Sequence, residues 1–173
     1  MNAKLKYILP VAVGLLFVFF GYKIVTLVAH KKQVTEAIKV MPTFSYLCIN
    51  GKPFSNASLQ KNKPTVFFYF NSECEFCNSE AQQVKEKIKM FTTMQLVFIS
   101  FEKLDKIKAF ANQYKLNNYG NVFFVADTKL TFSTTFDVKS LPAIVIYNKD
   151  NHLIQKCKGQ TKPEKIVDWV CRE

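Results

Sequence analysis

Pro64-Thr65-Val66-Phe67-Phe68-Tyr69-Phe70-Asn71-Ser72-Glu73-Cys74-Glu75-Phe76-Cys77 joins an apolar run, a polar break and a closely spaced pair of cysteines. Val66 to Phe70 is apolar at every position, the pattern of a central strand covered on both faces. Beyond the break the apolar residues fall at Cys77, Ala81, Val84, Ile88 and Phe91, which is one face of a helix. A strand that runs into a helix here leaves Cys74 at the helix N-terminus. Unpaired backbone N–H groups and the positive end of the helix dipole favour thiolate over thiol at that position. Cys77, one turn further in, is placed as the resolving thiol. Glu73 and Glu75 flank Cys74 as exposed anions and pull against thiolate formation. Half of a zinc site has the same spacing, but zinc asks for four ligands, usually from a second close pair. Cys48, Cys157 and Cys171 stand singly, and His30 and His152 complete no finger-like spacing, so no metal is expected.

Downstream, Met94 to Phe101 reads as a second apolar strand, followed by Leu104, Ile107, Phe110, Ala111 and Tyr114 at helical spacing. Asn121 to Ala126 reads as a third strand and Thr128 to Phe136 as a shorter helical or turn segment. Ala143 to Tyr147 and Leu153 to Cys157 flank Asn148-Lys149-Asp150-Asn151 as a hairpin. Thr161-Lys162-Pro163-Glu164 is a capping-box pattern that opens a last helix. Upstream, Phe44 to Cys48 alternates like a strand and Asn50-Gly51 is a hairpin signal. The alternation calls for an α/β fold, with right-handed crossovers in its first half, a hairpin in its second, and a mixed central sheet between helices.

The first thirty residues differ in kind. Tyr7 to Ala29 is a 23-residue stretch interrupted only by Lys23, long enough for a tilted bilayer-spanning helix, with Lys4 and Lys6 ahead of it. Leu27-Val28-Ala29 is a poor cleavage site and no nearby cysteine could carry a lipid, which favours an uncleaved signal anchor over a signal peptide. Lys23, His30, Lys31 and Lys32 rival the N-terminal lysines, so charge alone does not orient it. The organisation expected is an anchor over residues 1–30, a juxtamembrane linker over 31–41 ended by Pro42, and a single domain over 42–173.

Formal net charge is +11, and +8 remains when Lys4, Lys6 and Lys23 are set aside. The lysines are spread along helix-like segments as on solvated faces, with Arg172 the one arginine, so no nucleic-acid partner is expected. An anionic membrane surface or acidic protein is the milder reading of the charge. With 49% hydrophobic residues, 17 of them Phe, the body can bury a substantial core.

The order of elements, the Cys74-Glu75-Phe76-Cys77 motif after the first central strand, and Ser140-Leu141-Pro142 before the penultimate strand together resemble the thioredoxin superfamily. Within it the chain is similar to membrane-anchored thiol–disulfide oxidoreductases of the ResA/TlpA kind. The resemblance covers Pro42 to Glu173 and implies a thioredoxin-like fold without cofactor. It makes Cys74 the attacking cysteine, Cys77 its resolving partner in a redox-active disulfide, and Pro142 the cis-proline opposite them. Leu141 would offer backbone groups to an extended substrate, with Phe76 on an apolar rim. Glu80 matches a carboxylate near the active site of such proteins, although a mid-helix carboxylate is ordinarily solvated. Gly159 matches the glycine that closes the terminal hairpin.

The resemblance further implies a monomer whose domain lies outside the cytoplasm, on the periplasmic side of the inner or cytoplasmic membrane. It would reduce client proteins that carry thiols or disulfides, such as apocytochrome c, and be recharged by a membrane electron donor. The chain departs from the pattern at Glu73, where Trp is frequent, at Phe76, where Pro is, and at Phe68, where thioredoxin has a buried Asp. A peroxiredoxin would need Pro and Thr or Ser where Phe67 and Asn71 stand. Competing functions are a net disulfide oxidase, a Cu(I) chaperone using Cys74, Cys77 and His152, and a redox-inactive binding module. Cys48 and Cys157 read as core thiols, and no pairing is assigned to them or to Cys171.

Overall fold

The computed structural model describes residues 3–172, with side chains from Val13 onward. The readings made for Lys4, Lys6 and Tyr7 concern side chains outside that set, and Met1, Asn2 and Glu173 lie outside it altogether. Two compact units are present, Met1–Ala37 and Ile38–Glu173.

The first unit is helix α1 (Ala3–Ala37). Its stretch Val13–Ala37, 25 residues with a mean hydropathy of 1.8 and none of it buried, is long and apolar enough to be a membrane span or signal anchor. Val34, Ile38 and Met41 fall at a spacing that fits a short juxtamembrane helix or a linker, and α1 ends at Ala37. Ile38 and Met41 are instead buried in the second unit. Tyr147 donates its hydroxyl to the Ile38 carbonyl at 2.8 Å, and the Met41 N–H donates to the Asn151 carbonyl at 2.9 Å. Those bonds replace the helical ones that residues 38–41 forgo.

The second unit is built on one seven-stranded sheet of order β2-β1-β5-β4-β3-β6-β7. β1 (Ser45–Cys48) and β2 (Pro53–Ser55) form the hairpin read from Asn50-Gly51, with Gly51 at φ +79°, where a side chain would be strained. β3 (Thr65–Tyr69), β4 (Gln95–Ser100) and β5 (Val122–Ala126) are parallel. β6 (Ala143–Tyr147) runs antiparallel to β3, and β7 (Leu153–Lys158) antiparallel to β6. Helices α2 (Glu75–Glu86) and α3 (Leu104–Tyr114) join the parallel strands, α4 (Thr131–Thr135) follows β5, and α5 (Pro163–Cys171) ends the described chain. The chain steps from β3 to β4 to β5 in one direction, so right-handed crossovers put α2 and α3 on the same face.

That face holds the larger core. Phe68, Phe98 and Phe124 are cross-strand partners on β3, β4 and β5, and their rings stack at centroid distances of 4.7 and 4.9 Å. Such offset pairs contribute about 1 kcal/mol each beyond area burial. Cys77, Ala81 and Val84 of α2, Ile107 and Phe110 of α3, and Ile166 of α5 close over them. On the opposite face Phe67 meets Phe44, Phe132 and Tyr147. This is a mixed sheet with flanking helices, as the alternation of elements implied.

Two local readings change. The apolar face running from Cys77 to Phe91 is not one helix, because α2 closes at Glu86 and Ile88–Phe91 forms a 3-10 turn that still buries Ile88 and Phe91. The capping box at Thr161 is also not formed. Lys162 is the cap of α5, without a side-chain cap bond, and Pro163 begins the helix. Thr161 is used elsewhere, on Glu80.

Candidate functional site

β3 delivers the chain to the site and α2 holds it. After Tyr69 the chain makes one more rung, the Phe70 N–H donating to the Ile99 carbonyl at 2.9 Å, and then turns. Asn71 Oδ1 accepts the Glu73 N–H at 2.8 Å, and the Cys74 N–H donates to the Asn71 carbonyl at 3.2 Å. Cys74 is the N-cap of α2, with extended backbone, and its Sγ accepts the Cys77 N–H at 3.4 Å. A sulfur therefore stands where Ser, Thr or Asp ordinarily caps, held by one of the helix's orphan donors.

The two thiols occupy different surroundings. Both are free in the structure, Cys74 half-buried and Cys77 buried. Burial pushes the Cys77 thiol well above its ordinary range, and its hydrogen bonding with Cys74 adds to the rise. Glu80, one turn beyond Cys77, is 2% exposed rather than solvated. Its Oε2 accepts the Thr161 N–H at 2.8 Å, while Oε1 has no partner among the described residues. Desolvation raises the Glu80 carboxyl from 4.5 to about 7, with the Thr161 bond opposing part of the rise.

The segment after β7 makes that contact. Gly159, at φ +76°, turns the chain and donates its N–H to the Pro142 carbonyl at 2.8 Å. Gln160 then reaches Ser79 Oγ at 2.7 Å and Thr161 reaches Glu80. The Leu141–Pro142 bond is cis. Because Ala143 pairs with Tyr69 in the β3–β6 ladder, Pro142 lies one register position beyond it, at the end of β3 from which the dithiol loop departs. Leu141 is half-buried against the core, and Phe76, in the first turn of α2, is 64% exposed.

Two expectations need amending. Glu73 is exposed, but it is not a free anion beside Cys74. Lys106 of α3 bonds it at 2.5 Å and holds its carboxyl below the ordinary carboxylate range. His152 lies at the Tyr147–Leu153 end of the β6–β7 ladder, whereas Pro142 adjoins the Ala143–Lys158 end. Four strand steps, about 13 Å, separate those ends, so His152 is not brought to the dithiol as a third copper ligand. Among the described residues no cluster of three or more His, Cys, Asp or Glu side chains is arranged to hold a metal. Cys48 and Cys157 are half-buried on their strands, and Cys171 is exposed near the end of α5.

Sequence reading passed over Ser72, Asn78 and Glu102. Asn78 Nδ2 donates to the carbonyls of Ser72 (2.8 Å) and Cys74 (2.9 Å), and its Oδ1 accepts the Tyr114 hydroxyl at 2.7 Å. Glu102, just past β4 and buried, receives the loop from the other side. The available signal was a carboxylate directly after an apolar strand, at Ser100-Phe101-Glu102, with Lys106 four residues on.

Among curated proteins, the soluble secreted antigen MPT53 of Mycobacterium tuberculosis is 29% identical over 108 residues, which are 62% of this chain and 60% of that protein's length. A secreted M. tuberculosis disulfide oxidoreductase homologous to E. coli DsbE superposes with a TM-score of 0.64 at 22% identity, over 80% of this chain and 98% of that one. The peroxidoxin BcpB of M. tuberculosis superposes with a TM-score of 0.67 at 17% identity, over 77% and 94% of the two chains. These likenesses show a thioredoxin-like fold. Residues 38–156 match the AhpC/TSA family, and with the fold and the capped dithiol in place the chain belongs to that family.

Proposed function

We propose that the protein is an extracytoplasmic thiol–disulfide oxidoreductase, anchored by α1, that reduces disulfides of client proteins. The observation that carries this reading is the capping of α2 by the sulfur of Cys74, with a buried second thiol one turn inside. The similarity to a secreted disulfide oxidoreductase supports it. Cys74 attacks a client disulfide as thiolate. One client sulfur leaves as thiolate and takes up a proton, and the other is held in a mixed disulfide with Cys74. Cys77 then loses its proton and attacks the Cys74 sulfur, forming the Cys74–Cys77 disulfide and releasing the second client sulfur as thiolate. Two electrons pass to the client, and a membrane electron donor returns them.

Each supporting residue has a task in this cycle. Cys77, kept protonated by burial, needs a base when its turn comes. Glu80, raised to about 7 and with one oxygen unpartnered, is the group proposed to take that proton. Leu141 and Pro142 would present backbone to an extended client segment and Phe76 would add apolar contact. Clients of the apocytochrome c type, whose haem-attachment cysteines must be reduced, fit a domain on the periplasmic side of the cytoplasmic membrane. No cofactor enters, and a monomer suffices.

The reduced protein should reduce a protein disulfide, and Cys77→Ser should accumulate a mixed disulfide through Cys74. Consumption of hydrogen peroxide without disulfide exchange would reject the reading in favour of a peroxidase. That alternative is disfavoured at Phe67, a buried core ring, and at Asn71. Equilibration with glutathione should place the potential nearer the roughly −270 mV of thioredoxin than the roughly −120 mV of a strong oxidant. A value at the oxidising end would make the protein a net oxidase.

A further inference from the structure

We infer that Glu102 is a positioning residue for Cys74, holding the loop between β3 and α2 so that the sulfur stays at the helix cap. The inference rests on the reading of Cys74 as the attacking thiol. Ser72, two residues before Cys74, gives both of its donors to this carboxylate, the N–H to Oε2 at 2.7 Å and the hydroxyl to Oε1 at 2.7 Å. The Ser100 hydroxyl donates to Oε2 at 3.1 Å, and the Glu102 N–H donates to Ser100 Oγ at 3.2 Å. The Glu102 side chain is only 6% exposed.

Three donors converge on one buried side chain, and a donor buried without its acceptor costs more than the bond itself contributes, which makes a stiff anchor. The last backbone rung between β3 and β4 is at Phe70. The Ser72–Glu102 pair continues that ladder with a side chain where the backbones have already parted. Asn78 holds the Ser72 carbonyl from the α2 side, so Ser72 is fixed at its N–H, its hydroxyl and its carbonyl. Lys106 lies 3.8 Å from Glu102 and also binds Glu73, which ties the solvent side of the loop to α3. Without Glu102 the loop is free to draw Cys74 out of the cap position and away from the first-turn N–H groups.

The test is alkylation of Cys74 in the reduced full-length protein in detergent, followed by peptide mass spectrometry from pH 5 to 10, beside exchange with a protein disulfide. In Glu102→Gln one Ser72 donor meets an amide N–H instead of a lone pair. Alkylation at pH 7 should slow by about threefold or more and the profile should move to higher pH, in a protein still folded at the assay temperature. Of the other titratable groups around the loop, Glu73, Glu75, Glu80 and Cys77 keep their contacts in that variant, while Lys106 loses its 3.8 Å contact with the Glu102 carboxylate and keeps Glu73. Ser72→Ala should have a smaller effect, and the double variant should be no slower than Glu102→Gln alone, because both act through one contact. Should Glu102→Gln fail to fold, Ser72→Ala decides alone through its rate and profile. Wild-type rate and profile in a folded variant, or fully additive effects, would overturn the assignment. A wild-type protein that is alkylated but exchanges no disulfide sinks the oxidoreductase reading and leaves the alkylation comparison to decide Glu102.

Discussion

Three strand-to-helix turns lie side by side at one end of the sheet and differ in what begins the helix. At β3–α2 a cysteine sulfur is the cap. At β4–α3 Lys103 stands at the cap without a side-chain bond, and the residue before it, Glu102, serves the neighbouring turn instead. At β5–α4 Leu130 stands at the cap without a side-chain bond, and the buried carboxylate of Asp127, three residues earlier, accepts the Thr131 and Phe132 N–H groups at 2.9 and 2.7 Å. Three junctions of one architecture thus divide the work. The third shows what such a turn needs for stability, and the first replaces that oxygen acceptor with a weaker one that can react.

The largest effect that could break this contrast lies in the first turn. Cys74→Ser keeps a capping atom and should leave the fold intact while disulfide exchange falls to background. A retained rate would move the chemistry to another thiol. Next comes Glu80→Gln. The folded carboxyl titrates at about 7 against an ordinary 4.5, so the uncharged form is favoured by folding. That contribution is complete below pH 4.5 and is lost as pH rises to about 7 and just beyond, a loss of at most about 3 kcal/mol. Unfolding midpoints across pH 4–9 should therefore fall less in Glu80→Gln than in wild type, and the variant's exchange rate should lose its inflection near pH 7. Parallel curves would return Glu80 to a passive place in the core.

A smaller loss is expected at the third turn. Asp127→Ala strips the acceptor from two backbone donors and should cost about 2 kcal/mol in denaturant unfolding, with Cys74 alkylation unchanged. A change in alkylation would mean that the turns are coupled rather than divided. The smallest effect belongs to Lys106→Ala, which releases Glu73 beside Cys74. Alkylation of Cys74 at pH 7 should slow by about twofold or less, since exposed charges are screened by water and salt. A larger drop would mean that Lys106 does more for the thiol than neutralise Glu73.

What the sequence made legible is what periodicity carries. The apolar runs at Val66–Phe70 and Leu96–Ile99 and the 4-3 spacing of α3 give strands and helices directly, and Cys74 follows from where one ends and the next begins. The cis bond at Pro142 came through the family resemblance. Less legible were contacts between polar residues far apart in the chain. Ser72 and Glu102 are thirty residues apart, and Glu80 and Thr161 eighty-one. A carboxylate looks the same in sequence whether water or a backbone N–H satisfies it. Thr161 had a local alternative, the capping box, and the tertiary bond to Glu80 displaced it. Residues 38–41 fit a helical spacing equally well, and burial against the sheet decided the matter.

The two outermost strands carry a further consequence. β2 is three residues long and starts with a proline, which has no N–H to offer a neighbour, and β7 carries Lys156 and an exposed Lys158. Short length, proline and charge are the means by which native sheets discourage strand addition. Tethering to a bilayer would crowd many copies into a thin layer, the setting in which open sheet edges most readily zip together into fibrous aggregates. With both rims blunted, zipping of one copy's sheet onto another's is disfavoured even under such crowding.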